Sequence, residues 1–180
     1  ELHGGRPLCG SGQGLFAGLA REPGSQDLAF NLGLAYLKEG RARDARNAFE
    51  DALSLGPEAP DILCDLGLAL FELGKPEEAE ARYTRALELA PTHPEAANNL
   101  GVIRFQAERY AEAQALFRAA TDAKDDYADA WFNLRDACAE LLAATPREST
   151  PARLAELVDL EEEMKRAERK YHSLTASRKS

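Results

Sequence analysis

The sequence predicts an all-α chain of repeated helical hairpins, and three observations carry that prediction. Leu-Gly pairs recur every 34 residues, at Leu32-Gly33, Leu66-Gly67 and Leu100-Gly101, and Leu134-Arg135 continues the register. Behind each pair a small, a large aromatic and a second small residue stand at fixed offsets: Ala45, Phe49 and Ala52; Ala79, Tyr83 and Ala86; Ala113, Phe117 and Ala120. Gly and Pro punctuate the same period, with Gly40 and Gly74 inside the first two units, Pro57 and Pro91 closing them, and Asp125 at the third close. Self-similarity at a fixed period of this length is the signature of a helical solenoid, in which each unit buries its apolar face only against its neighbours.

The repeats are accordingly placed at residues 26–59, 60–93 and 94–127, with a partial fourth over 128–144. In the first helix of each unit the apolar residues stand four apart, as Leu32 and Tyr36 do. In the second, Ala45, Phe49 and Ala52 fall at i, i+4, i+7 on one helical face. Gly40 and Gly74 end the first helices, because glycine takes a positive φ at little cost. Pro76 followed by Glu77 and Glu78 opens a second helix, and Pro60 and Pro94 mark the other openings, each suited to a first helical turn. The Gly and Ala positions let two helix axes approach closely, and the Phe or Tyr between them is expected to fill the gap to the neighbouring unit.

Both ends depart from the period. Ser11, Leu15, Gly18 and Pro23 sit one period before Ala45, Phe49, Ala52 and Pro57, so residues 11–25 read as a remnant second helix behind a flexible Gly-rich leader over 1–10. Residues 145–180 read as a loop, a C-terminal helix opened by Thr150-Pro151, and a basic tail. That helix carries Leu157, Leu160, Met164, Ala167 and Tyr171 at spacings of three and four. A seam this short predicts a helix that caps the exposed face of the last unit, with a dimerisation helix as the alternative.

These residues resemble tetratricopeptide (TPR) repeats over 26–144, whose pattern of Trp, Leu-Gly, Tyr, Ala, Phe, Ala and Pro they follow; Trp131 fills the opening aromatic place of the fourth unit. The resemblance implies a right-handed superhelix of hairpins with a concave peptide-binding groove. Arg104 stands where an aromatic is usual, Glu108 replaces the inter-helix Gly, and Arg135 replaces the close-packing Gly, which calls an ordinary second helix in the fourth unit into question.

Composition narrows the function. The chain has 22 Lys+Arg against 31 Asp+Glu, a net charge of −9. The acid is concentrated in the repeats, so a nucleic-acid partner is not expected, because such binding rests on cation–phosphate contacts. The basic run Lys165, Arg166, Arg169, Lys170, Arg178 and Lys179 faces only Glu168 and reads as a solvated end. No stretch is apolar enough to span a membrane, and no basic and apolar leader is visible, so a cytoplasmic location is expected. Cys9, Cys64 and Cys138 lack disulfide or zinc spacing, and His3, His93 and His172 have no ligand neighbours. No cofactor, metal or catalytic constellation is expected, and the chain is predicted not to be an enzyme.

A surface is predicted instead. At about 100° per residue, Phe30, Leu34 and Leu37 lie opposite the buried face of the first helix and should face water. Cys64, Leu68 and Phe71, then Asn98, Val102 and Phe105, and finally Phe132 continue this stripe. Stacking between units competes with groove exposure for Leu37, Phe71 and Phe105. Beside the stripe runs an amide series, Asn31, Asn99 and Asn133, with Asp65 in the second unit. An amide offers donor and acceptor together, so a ladder of them can hold a peptide backbone whatever its side chains. The series resembles the asparagine-bearing repeats of O-linked N-acetylglucosamine transferase.

The expected function is therefore a non-catalytic scaffold binding an extended peptide through Phe30, Asn31, Leu34, Asp65, Leu68, Phe71, Asn99, Val102, Phe105, Phe132 and Asn133. The alternatives are a substrate-recruiting part of a larger enzyme or secretion machine, and weak self-assembly through the C-terminal helix. TPR domains that hold the C-terminal carboxylate of heat-shock chaperones use Lys and Asn in the first unit, Asn in the second, and Lys and Arg in the third. The matching places here carry Phe30 and Leu34, Asp65, and Glu95 and Asn99, so the cations are missing and that ligand is not expected. Asp27, Asp61, Glu95 and Asp129 along the same side favour a basic or neutral peptide.

Overall fold

The computed structural model describes residues 24–144 and 151–176, with side chains of the second stretch from Leu154 onward. The expected leader and most of the remnant helix, the loop 145–150 and the tip of the basic tail lie outside the described residues. Those that are described form helices and turns: α1 Gln26–Lys38, α2 Ala42–Leu55, α3 Pro60–Glu72, α4 Pro76–Leu89, α5 Pro94–Gln106, α6 Tyr110–Ala123, α7 Ala128–Ala144 and α8 Pro151–Ala176. The chain divides after Leu89 into two compact units, the first holding α1 to α4 and the second α5 to α8.

Local chemistry sets each boundary. Ser25 caps α1, its hydroxyl accepting from the Leu28 N–H at 3.3 Å. Pro60 and Pro94 occupy the first turns of α3 and α5. His93 caps α5 through Nδ1, which accepts the Ala96 N–H at 3.2 Å. Each hairpin turn closes the same way. The N–H of Arg41, Lys75 and Arg109 returns to the carbonyl of Tyr36, Leu70 and Arg104 at 2.9, 3.0 and 2.9 Å. This six-to-one bond requires a left-handed residue in between, supplied by Gly40 and Gly74 at φ 71° and 73° and, in the third hairpin, by Glu108 at φ 59°.

Packing inside each hairpin turns on one glycine. A methyl group added at Gly33, Gly67 or Gly101 would stand 2.3, 2.6 or 2.6 Å from the ring of Phe49, Tyr83 or Phe117. The three rings are almost wholly enclosed. The missing Cβ of the Leu-Gly glycine is thus space that the ring of its own hairpin fills, and Phe117 also packs with Trp131, Leu134 and Ala137 of the following repeat.

The second unit has its own solution at its end. At the fourth glycine place Arg135 turns its guanidinium over the Phe132 ring, 4.3 Å from its centroid, and onto Asp136 at 2.6 Å. The 26-residue α8 packs against α7. Ala167 is enclosed with Ala113, Phe117, Trp131, Leu134, Ala137 and Cys138, and Leu160, Met164, Tyr171 and Leu174 pack at the edge of that cluster. The seam read from the sequence is the face that covers α7. Leu154 and Val158 remain exposed.

Candidate peptide-binding surface

In the first unit the site residues lie on α1 and α3, neighbouring first helices. Phe30, Leu34 and Leu37 are half-buried rather than open to water. The Phe30 ring leans on Phe49, centroids 5.9 Å apart and tilted by 47°. Asn31 is exposed. On α3, Asp65, Leu68 and Phe71 are half-buried. Cys64, expected on the water-facing stripe, is buried as a small apolar side chain instead. Asp27 and Asp61 are exposed at the helix starts.

The second unit draws its amides together. The Asn133 amide on α7 donates from Nδ2 to Oδ1 of Asn98 on α5 at 2.9 Å. Asn98 in turn donates to Oδ1 of Asn99 at 3.3 Å. Asn98, read from the sequence as a member of the apolar stripe, is only 5% exposed and is the hub of this relay. The signal that could have found it was the Asn98-Asn99 pair, which puts two amides on adjacent positions of one helix. The Nδ2 of Asn99 and the Oδ1 of Asn133 carry no hydrogen bond among the described residues.

The apolar members divide. Val102 and Phe105 pack at the edge of the core cluster, and Phe105 meets Tyr110 edge-on at 5.2 Å. For Phe105, then, packing within the unit takes part of the face that a ligand would need. Phe132 is 37% exposed, its ring held between the Arg135 guanidinium and the Tyr171 ring 5.3 Å away.

Ion pairs set the electrostatics. Burial alone would raise the Glu95 carboxyl, but the Lys124 ammonium at 2.9 Å holds it below the usual carboxylate range. Of the expected acidic series, Glu95 is therefore already paired. Glu163 of α8 is likewise pushed up by burial and pulled further down by Arg118 at 2.5 Å and by Gln114. Beside it the Cys138 thiol, enclosed and facing that carboxylate, is pushed up to about 12. Among the described residues no group of three or more His, Cys, Asp or Glu side chains is placed to hold a metal ion, and no helix is long and apolar enough to cross a membrane.

Three overlapping stretches, residues 30–94, 64–128 and 99–145, match the family model described as tetratricopeptide repeat. The chain belongs to the tetratricopeptide repeat family. No curated protein matches it. Among solved structures, this TPR chain is similar to MamA, with a TM-score of 0.69 at 18% identity over 90% of this chain and 87% of that one. It is also similar to YrrB, described as a TPR protein with an unusual peptide-binding site, with a TM-score of 0.63 at 22% identity over 92% and 80%. The first TPR of Spaghetti (RPAP3), bound to an HSP90 peptide, gives 0.61 at 22% identity over 66% of this chain and 94% of that one. At such identities the likeness is one of fold.

Proposed function

We propose that this TPR chain is a non-catalytic interaction scaffold that holds an extended peptide on the faces of its first helices. The observation that carries the reading is the amide relay. Asn133, Asn98 and Asn99 orient one another and leave the Asn99 Nδ2 to donate and the Asn133 Oδ1 to accept, the complement of a peptide group. Asn31 offers a separate amide on α1. In the first unit the half-buried Phe30, Leu34, Leu68 and Phe71, with Asp65, offer a peptide's side chains an apolar surface, and in the second Val102 and Phe105, with Phe132, offer another.

Two structural neighbours, YrrB and the first RPAP3 TPR, are described with a peptide-binding site and a bound peptide, which supports this class of partner. The charge pattern favours a neutral or basic segment over a terminal carboxylate. Asp27, Asp61 and Asp129 are exposed, and the places that would clamp a carboxylate carry apolar, amide or acidic residues.

The test is capture of partners from lysate by the wild type and by Asn31→Ala/Asn99→Ala/Asn133→Ala. Because the amides read backbone, the triple variant should lose partners of unrelated sequence together, by tenfold or more. An unchanged partner profile from a folded triple variant sinks the proposal.

A further inference from the structure

The basic run of α8 is not uniform once its neighbours are in place. Lys165 is held by Glu161 and Glu162 on its own helix, at 3.8 and 3.0 Å. Arg166, Arg169 and Lys170 point elsewhere, and together with Asp125, Trp131 and Ser173 they line a cavity of about 340 Å³. Lys170 is paired with Asp125. The Arg166 guanidinium lies 5.5 Å from the centre of the Trp131 ring. Among the described residues neither Arg166 nor Arg169 has a carboxylate partner, whereas Arg41, Arg85, Arg109, Arg118 and Arg135 each sit on one. What sets these two guanidiniums apart is that they line one cavity together.

The wall is fixed as well. Trp131 is buried, and its indole N–H donates to the Asp125 carbonyl at 2.8 Å, which pins the ring and the loop that carries the Lys170 partner. The cavity thus has a rigid apolar side and two forked cations, with the Lys170–Asp125 pair contributing no net charge. Two guanidiniums without a counter-ion match a dianion, and their planar donor forks suit phosphate oxygens.

We propose that this cavity is a binding site for a phosphate monoester, recognised by Arg166 and Arg169 against Trp131. It is separate from the amide face and does not depend on that reading. A phosphorylated side chain brings about −1.5 to −2 charge and three acceptor oxygens at neutral pH, whereas the unmodified hydroxyl brings neither.

Trp131 is the only tryptophan of the chain, so intrinsic fluorescence reports on this cavity. The titrants are a phosphoserine pentapeptide, its unphosphorylated twin, inorganic phosphate and a single-stranded oligonucleotide, added to the full chain and to Arg166→Gln/Arg169→Gln. The expected result is a saturable change with the phosphopeptide, at least tenfold tighter than with its twin and weakened at least tenfold in the double variant. Inorganic phosphate binding as tightly as the phosphopeptide assigns free phosphate as the source, and weaker phosphate binding assigns a phosphorylated side chain. No saturable change, equal response to the unphosphorylated twin, tighter binding of the oligonucleotide, or an undiminished response in the double variant overturns the site. Both arginines are exposed, and circular dichroism of the double variant, expected to match wild type, separates loss of the site from loss of the fold.

Discussion

The side-chain amide of Asn133 donates to Oδ1 of Asn98 at 2.9 Å, tying α7 to α5 across one repeat. Asn98 is enclosed, so its oxygen has no water to replace a lost partner. Asn133→Ala should therefore cost about 1–3 kcal/mol of stability, the usual penalty for a buried polar atom left unpaired. Asn31→Ala, at an exposed amide, should stay within about 0.5 kcal/mol of wild type. Urea denaturation of the two variants checks the contrast. It also shows how much of any binding defect at Asn133 belongs to folding.

Gly67 and Gly74 should fail for different reasons. Gly67→Ala puts a methyl 2.6 Å from the Tyr83 ring, which is enclosed and cannot move aside, and overpacking of this kind costs about 1–3 kcal/mol. A methyl at Gly74 meets open space but inherits φ 73°, a strain of about 1–2 kcal/mol. The converse applies in the third hairpin. Glu108 already holds φ 59°, so Glu108→Gly should stabilise the chain by up to about 1 kcal/mol, read as a rise in thermal midpoint.

The Glu163 carboxyl sits below its ordinary value when folded. Its contribution is thus fully present above the unfolded carboxylate pKa, ordinarily near 4.5, and is lost as pH falls through the lower folded value. Glu163→Gln should remove that acid-side loss and cost about 1 kcal/mol at neutral pH, a modest figure because Arg118 is half exposed to solvent. Thermal midpoints of the two proteins from pH 7 down to pH 3 should converge as the carboxylate protonates.

Cys138 should be inert in the folded protein. With its thiol pushed up to about 12 from 9.0, its thiolate fraction at pH 8 is roughly a thousandfold smaller than that of an ordinary cysteine. Alkylation at pH 8 should therefore leave Cys138 unmodified in native protein and modify it after denaturation, with peptide mass mapping as the readout.

Removing α8 exposes Trp131, Leu134 and Cys138, which it covers together with the cluster around Ala167. Residues 1–144 should aggregate or melt well below the whole chain. If α8 served chiefly to pair two chains, sedimentation would instead give a soluble monomer from 1–144 and a dimer from the full length.

The helices were legible because backbone geometry and packing repeat with the sequence. Gly33, Gly67 and Gly101 recur because each must admit a ring, and Gly40 and Gly74 because each turn needs a left-handed residue. The binding face was legible only in part. Helical phase alone puts Phe30, Cys64 and Asn98 on one side, yet Cys64 and Asn98 are buried by neighbouring helices that phase does not describe. Asn98 gains its place from Asn133, which lies 35 residues away. The convergence of Arg166 and Arg169 on Trp131 likewise needed the docked position of α8, since the run by itself reads as a solvated charge cluster.

The central claim is that asparagine amides on the first helices grip a peptide backbone. Side-chain amide resonances of ¹⁵N-labelled protein, followed during titration with a captured peptide, test it most directly. Saturable shifts of the Asn31, Asn99 and Asn133 side-chain amides are expected, retained when the peptide's own side chains are changed to alanine. Shifts confined to α2, α4, α6 and α8, with those three amides unmoved at saturation, would contradict it.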